Sequence, residues 1–259
     1  TYGYIPSPKT IFAGLHKLPP GHFAKIDLGS GGPPQPQSYW DVCFEPDEKA
    51  SEAEWTERLR DELAESVRLR MISDVPLGAF LSGGADSSTI VAEMSRLQGD
   101  PVSTFSIGFA EQAFNELPYA RQIASRYGTK HREEIVKPDA VEMLPKLAWQ
   151  YDEPFSDPSA LPTHYVSQLA RKEVKVIVSG DGGDELFAGY DRYERAAKLH
   201  KWVDPVPYAL RRILCGGVAR LLPRTVKGRA LLDLLAERGE RRYDRMLKAA
   251  DWRWLFNED

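Results

Sequence analysis

The chain has 259 residues, 42% of them apolar and 28% charged, with a formal net charge of −4. That length suits one large domain or two modest ones, and the composition is that of a soluble globular protein. The acidic balance gives no reason to expect nucleic acid, no apolar run approaches the roughly 20 residues of a membrane span, and two cysteines, Cys43 and Cys215, make no disulfide framework and point to a reducing cytoplasm.

The opening TYGYIPSPKT lacks the charged and apolar regions of a signal peptide. Thr1 in place of an initiator Met is read as the mark of a longer parent chain. Residues 1–50 are rich in Pro and Gly, with the low-complexity run GSGGPPQPQ at 29–37, and only GHFAKID (21–27) reads as a short strand. This segment is too short to bury its own core and is expected to be the tail of a preceding domain or a linker.

A regular pattern begins at Ser51, which with Glu54 has the S-x-x-E spacing of a capping box and opens a helix to about Arg70. Leu59, Leu63 and Val67 give that helix one apolar stripe. PLGAFLS follows as a buried strand and SSTIVAEMSRLQG as a helix ending at Gly99; VSTFSIGF (102–109) is a strand and NELPYARQIASRYG a helix ending at Gly128. HREEIV is a strand, DAVEMLPKLAWQ and HYVSQLARKE are helical, VKVIVSG (174–180) is the most apolar strand, and DELFAGYDRYERAAKL begins another helix. Strands alternating with helices of this length predict an α/β fold, a parallel sheet with helices on both faces, followed from about residue 200 by a mostly helical part.

Two turns stand out. SGGADSS follows the first strand of this series and SGDGGDE (179–185) the last, and each leads into a helix. Ligands of parallel sheets sit beyond the carboxyl ends of the strands, and free N–H groups at a helix N-terminus favour phosphate. Gly83 and Gly84 allow close approach of an anion, while Ser82, Ser87 and Ser88 add hydroxyls. The G-x-x-x-x-G-K-[ST] phosphate loop is excluded, since no lysine is present and an aspartate takes part. Asp86 and Asp184 would repel bare phosphate, and Mg²⁺ between these acids and the phosphates resolves the conflict.

The SGGADSS loop resembles the S-G-G-x-D-S-S pyrophosphate loop of the ATP-pyrophosphatase superfamily, whose fold is adenine nucleotide alpha hydrolase-like. With DVPLGAFLSGG, FNELPYAR, DEPFSDPSALPT and SGDGGDELFAGYDRY, in that order, the chain is similar to the synthetase domain of glutamine-dependent asparagine synthetases. YIPSPKTIFAGLHKLPPGHFAKID resembles the segment that ends that family's glutaminase domain, so the resemblance implies a domain tail and linker over 1–50 and a C-terminally incomplete synthetase domain over 51–259.

The resemblance implies an ATP-dependent carbon–nitrogen ligase. The aspartate carboxylate attacks the α-phosphate, β-aspartyl-AMP and pyrophosphate form, and ammonia from glutamine, released by the glutaminase domain of the same chain, displaces AMP. Other partners are small molecules, and a homodimer is left open. Carried over by position, Ser82, Gly83, Gly84, Asp86, Ser87 and Ser88 match the pyrophosphate loop, and Ser179 and Gly180 the second nucleotide contact. Phe80 and Ile107 fall where the family's backbone meets adenine, Asp86 and Asp184 match metal-associated acids, and Asp181 stands where the family carries an acid, often Glu, near the reacting carboxylate. The plainer readings stay beside these: Phe80 and Ile107 as strand core, Asp181 and Asp184 as acids that cap a helix, and Glu153, Asp157 and Ser159 as a Pro-rich turn rather than substrate contacts. His131 is expected to meet solvent at a strand end, and both cysteines to be bystanders.

Two departures bear on activity. The family's N-terminal glutaminase cysteine is absent, and its downstream transition-state lysine is not placed in 200–259. Residues 1–259 alone are therefore expected to bind ATP weakly and to make almost no AMP. A related amidotransferase or β-lactam-type synthetase acting on another carboxylate is the alternative, and a non-catalytic nucleotide-binding module a third class.

Overall fold

The Pro- and Gly-rich opening holds more structure than its composition announces. In a computed structural model, which describes residues 3–29, 32–47, 49–111, 115–137, 139–223, 226 and 228–247, β1 (His22–Ala24) pairs antiparallel with β2 (Pro36–Ser38). The second strand falls on the end of the low-complexity run, where no strand was expected. Pro36 is tolerated because it pairs at a strand end, Ala24↔Pro36, and the ladder is short. Gly21, at φ +65, makes the entry possible, since a side chain there would meet the Trp40 carbonyl.

Helix α1 (Glu52–Arg70) starts as its sequence requires: the Ser51 N–H donates to Glu54 Oε2 at 2.7 Å, and the Glu54 N–H returns a bond to Ser51 Oγ at 3.3 Å. The expected apolar stripe is buried only toward its C-terminal end. Val67 is fully buried, whereas Leu59 and Trp55 remain exposed.

The main sheet is all parallel in the order β5–β4–β3–β6, with β3 (Leu77–Phe80), β4 (Ser103–Phe109), β5 (Lys130–Val136) and β6 (Val176–Val178). Alternation sends Ala79, Leu81, Val102 and Val178 to one face. There they pack with Val67 of α1, with Val91 and Met94 of α2 (Ala85–Leu97), and with Ala120 and Ala124 of α3 (Leu117–Tyr127). Phe80, Phe105 and Ile177 take the other face, against Val166, Leu169 and Ala170 of α5 (Ala160–Ala170), which follows α4 (Ala140–Tyr151). The Phe105 ring lies over Gly78, whose missing side chain leaves it room: a Cβ there would stand 2.9 Å from the ring. Helices thus cover both faces of a parallel sheet, as the alternation of elements predicts.

The chain divides into two compact units. One is Ile5–Asp181, which carries both sheets; the other takes Thr1–Tyr4 with Gly182–Asp259. The second is helical among its described residues: α6 (Gly183–Leu186), α7 (Asp191–Val203), α8 (Tyr208–Leu221), α9 (Arg229–Leu235) and α10 (Gly239–Leu247). The single helix expected from DELFAGYDRYERAAKL is broken into α6 and α7. Ala188 turns left-handed at φ 55, the Gly189 N–H donates to the Asp184 carbonyl at 3.0 Å, and the Tyr190 hydroxyl donates to Glu185 Oε1 at 2.6 Å. These bonds fold the chain back onto its own first turn. The Glu185 bond pushes the Tyr190 pKa up to about 12. Farther on, Asp204 Oδ1 holds Arg242 at 2.7 Å and Arg211 at 3.4 Å, and Arg211 also donates to the Val206, Leu235 and Glu237 carbonyls. One carboxylate and two buried guanidiniums thereby tie α8, α10 and the ends of α7 and α9. Residues 248–259, included in the helical expectation, lie outside the described residues. Among the described residues no helix is long and apolar enough to cross a membrane.

His131 is largely withdrawn from solvent rather than open to it. Its side chain is 12% exposed, its Nδ1 lies 2.9 Å from Thr104 Oγ1, and Thr104 Oγ1 lies 2.8 Å from Thr129 Oγ1. His131 pairs with Thr104 in the β4–β5 register, so it falls on the face covered by α1, α2 and α3 rather than beyond the strand end. Its Nε2 is buried, 3.7 Å from Glu133, whose carboxylate Arg121 grips. Burial lowers the His131 pKa, with Glu133 opposing and Arg121 reinforcing the shift. A histidine kept neutral in the fold binds fewer protons than in the unfolded chain. Its contribution is therefore present above the ordinary histidine value and lost as pH falls below it. Urea midpoints should drop between about pH 7.5 and about pH 5.5, and His131→Gln should flatten that drop. Equal slopes for parent and variant would contradict this account.

Candidate active site

Strand order reverses between β3 and β6: the chain steps outward from β3 through β4 to β5, then returns to the far side of β3. In open parallel sheets such a reversal opens a crevice beyond the carboxyl ends of the two strands. Both Ser-Gly turns leave from that place, 82–88 after β3 and 179–181 after β6. They are packed together. A Cβ on Gly180 would lie 2.9 Å from Asp86 Cβ and 2.9 Å from the Ser87 nitrogen, so the second turn rests against the first turn of α2.

The 82–88 loop is held by its own hydroxyls. Ser82 Oγ lies 2.9 Å from Ser87 Oγ, the Ser82 N–H donates to Ser87 Oγ at 3.2 Å, and the Gly84 N–H donates to Ser82 Oγ at 3.2 Å. Ser82 and Ser87 therefore shape the loop first. Ser88 Oγ is buried without a partner among the described residues. Helix α2 begins at Gly84 with no side-chain cap, unlike α1, so the first-turn N–H groups keep their donors for a ligand. Gly83 sits at φ +86 with its back to α3, where a Cβ would come within 2.6 Å of the Ala120 nitrogen.

The expected residues divide by unit. Phe80, Ser82, Gly83, Gly84, Asp86, Ser87, Ser88, Ile107, Ser179, Gly180 and Asp181 all belong to Ile5–Asp181, whereas Asp184 belongs to the helical unit. The Phe80 side chain is engaged with Phe105, Ala170 and Val174, as its strand-core reading holds. Ile107, two residues beyond Phe105 on the same face, is half-buried. Asp181 makes no helix cap; the Ser179 hydroxyl donates to its Oδ2 at 2.9 Å. Asp184 lies in the first turn of α6, which has no side-chain cap either.

The Asp86 carboxylate is exposed and has no hydrogen-bond or ion-pair partner among the described residues. Among the described residues, no group of three or more His, Cys, Asp or Glu gathers to hold a resident metal. A lone free carboxylate beside uncapped donors fits a cation that arrives on phosphate oxygens.

Some supporting groups carry no sequence signal of their own. The buried Ser106 hydroxyl donates to the Leu81 carbonyl, and the Leu81 N–H donates to the Phe105 carbonyl at 3.0 Å, which fix the strand end just before Ser82. A separate groove of about 720 Å³ between α4 and α5, lined by Tyr151, His164 and Arg171 among others, shares no residue with the turns.

Gly83 carries the sharper steric demand. Gly83→Ala should lower unfolding free energy by more than about 1 kcal/mol, because both its φ and its distance to α3 exclude a side chain. Gly99→Ala, where a Cβ meets nothing within 4 Å, should stay within about 0.5 kcal/mol. Equal losses in urea unfolding would contradict the packing described.

Known proteins resemble this chain over most of its length. Residues 58–257 match the family model for asparagine synthase. The chain is 34% identical over 234 residues to the glutamine-hydrolysing asparagine synthetase 1 of Bacillus subtilis, covering 90% of this chain and 36% of that protein. Two proteins assigned by name to the glutamine-hydrolysing asparagine synthetases are also similar. One, from Methanocaldococcus jannaschii, is 38% identical over 91% of this chain and 45% of its own length. The other, from Mycobacterium tuberculosis, is 36% identical over 93% of this chain and 37% of its own length. The chain spans less than half the length of each of these relatives. By its family match, its motifs in order and the sheet that carries them, the chain belongs to the asparagine synthase family.

Proposed function

We propose that the paired turns beyond β3 and β6 bind ATP, and that the protein uses it to activate a carboxylate for amide formation. The observation that carries this reading is the packing of Gly180 against Asp86 and Ser87, which makes two Ser-Gly turns one surface at the strand-order reversal. Family membership supports aspartate as the acceptor and glutamine as the source of ammonia. Attack of the carboxylate oxygen on the α-phosphorus breaks the bond to pyrophosphate and leaves an acyl adenylate; ammonia then expels AMP.

The chain's own groups divide the work. The uncapped first-turn N–H groups of α2 face the phosphates, where fixed donors stabilise charge without reorganisation. The Ser82–Ser87 pair is adjustable. When Ser87 donates to Ser82, the Ser82 proton is free to point outward to a phosphate oxygen, and when Ser82 donates to Ser87 the loop closes on itself. Backbone at Phe80 and Ile107 meets adenine, and Ser179 and Gly180 close the other side. Asp181, one oxygen held by Ser179, stands as the acid beside the acceptor carboxylate. Asp86 would hold Mg²⁺, which when bound neutralises charge on the phosphates, and by its motif Asp184 is a metal-associated acid as well. This chemistry suits a cytoplasmic enzyme with a glutaminase region in the same chain.

Asp86→Asn tests the assignment in the full-length protein. It keeps the side-chain shape at an exposed position, so the fold should persist. ATP–pyrophosphate exchange with saturating aspartate and Mg²⁺ should fall by roughly a hundredfold or more. Exchange within about twofold of the parent would remove Asp86 from the reacting site.

A further inference from the structure

Outside the two turns, Lys17 joins distant parts of the chain. Lys17 Nζ donates to Glu153 Oε1 at 2.6 Å and to the Ile5 carbonyl at 2.8 Å, and its backbone N–H donates to the Pro8 carbonyl at 2.9 Å. Three bonds from one residue close the 5–17 segment on itself and attach it to a residue 136 positions away. Both side chains are mostly covered, 32% exposed for Lys17 and 21% for Glu153. That coverage separates the pair from the more open ion pairs elsewhere, such as Arg68–Glu65 at 52% and 50%.

Glu153 opens the 152–159 loop, which has little freedom of its own. Asp152 is left-handed at φ 55, the Tyr151 and Phe155 rings stack at 4.3 Å across the turn that contains Glu153, and the Ser159 N–H donates to Asp157 Oδ1 at 2.8 Å. The loop's place follows from the topology. Helix α5 ends beside Val174, and the Lys175 N–H donates to the Pro76 carbonyl just ahead of β3, so its last turn is at the amino edge of the sheet. Helix α5 is 11 residues long, about 16 Å at 1.5 Å per residue. A crossover helix runs antiparallel to the strands it joins, so its start, and the 152–159 loop before it, point to the carboxyl edge where the two turns lie.

We propose that Lys17 is a positioning residue: it holds Glu153, and through it the 152–159 loop, at the rim of the site on the acceptor side. This rests on the ATP-dependent ligase reading. Lys17 touches no reacting atom. Its effect passes through the loop and falls on the acceptor rather than on the nucleotide, which the α2 turn holds independently.

The test uses Lys17→Met, Glu153→Gln and the double variant in the full-length protein, with ammonium as nitrogen donor. Each single variant should raise KM for aspartate about tenfold or more, since small misplacements of a positioning element cost that much, while KM for ATP stays within about twofold. The double variant should be no worse than either single one, because both remove the same bond. Amide exchange of residues 153–159 should quicken about tenfold in each single variant. Additive effects, parallel rises in both KM values, or unchanged exchange in the loop would overturn the proposal. Failure of the ligase reading would appear separately, as a parent that makes no AMP, and the exchange measurement would still decide the role of Lys17.

Discussion

The rest of the structure depends on β3 and β6 being parallel neighbours. They are separated by about a hundred residues, yet their register, Gly78↔Ile177 and Ala79↔Val178, sets both carboxyl ends side by side. Everything beyond those ends inherits the spacing. Gly180 must lack a side chain because α2 begins against it, and Gly83 must lack one because α3 begins behind it. Two helix starts and two turns crowd one edge of a four-stranded sheet, and α2 begins there with no side-chain cap among the described residues. On the proposed reading, a surface with free donors and little side chain takes phosphate, and the nearby Asp86 makes that binding depend on a cation.

Much of this could be read from residues alone, for a physical reason. Ser51 and Glu54 announce α1 because capping is a local bond between near neighbours. Gly128 ends α3 at φ +62 because only a residue without Cβ takes that angle cheaply. The two turns stand out in the sequence because each sets Ser, Gly and Asp together between a strand and a helix. What stayed hidden was set by distant partners. Nothing in HREEIV says that His131 meets Thr104, since that pairing is a matter of register. Nothing in PQS says strand until GHFA lies beside it. The break between α6 and α7 comes from Asp184 and Glu185 receiving bonds from Gly189 and Tyr190, a return of the chain that helical periodicity cannot reveal. Leu59 reads as core because its spacing matches Val67, but spacing reports a stripe and not what covers it.

The proposed site also shows how function can be spread along a chain without a single dominant motif. The donors come from α2, the steric limits from α3 and the turn after β6, and the loop before α5 is tethered by a residue of the opening segment. Asp181 and Asp184 stand three residues apart and fall in different compact units.

The most direct test is amide hydrogen exchange of the protein with and without ATP and Mg²⁺, read residue by residue. ATP with Mg²⁺ should slow exchange at Ala85, Asp86 and Ser87 and in the 179–181 turn, leave the α4–α5 groove unchanged, and lose its effect when Mg²⁺ is removed. Slowing in that groove with none at residues 82–88 would contradict the placement of the nucleotide beyond β3 and β6.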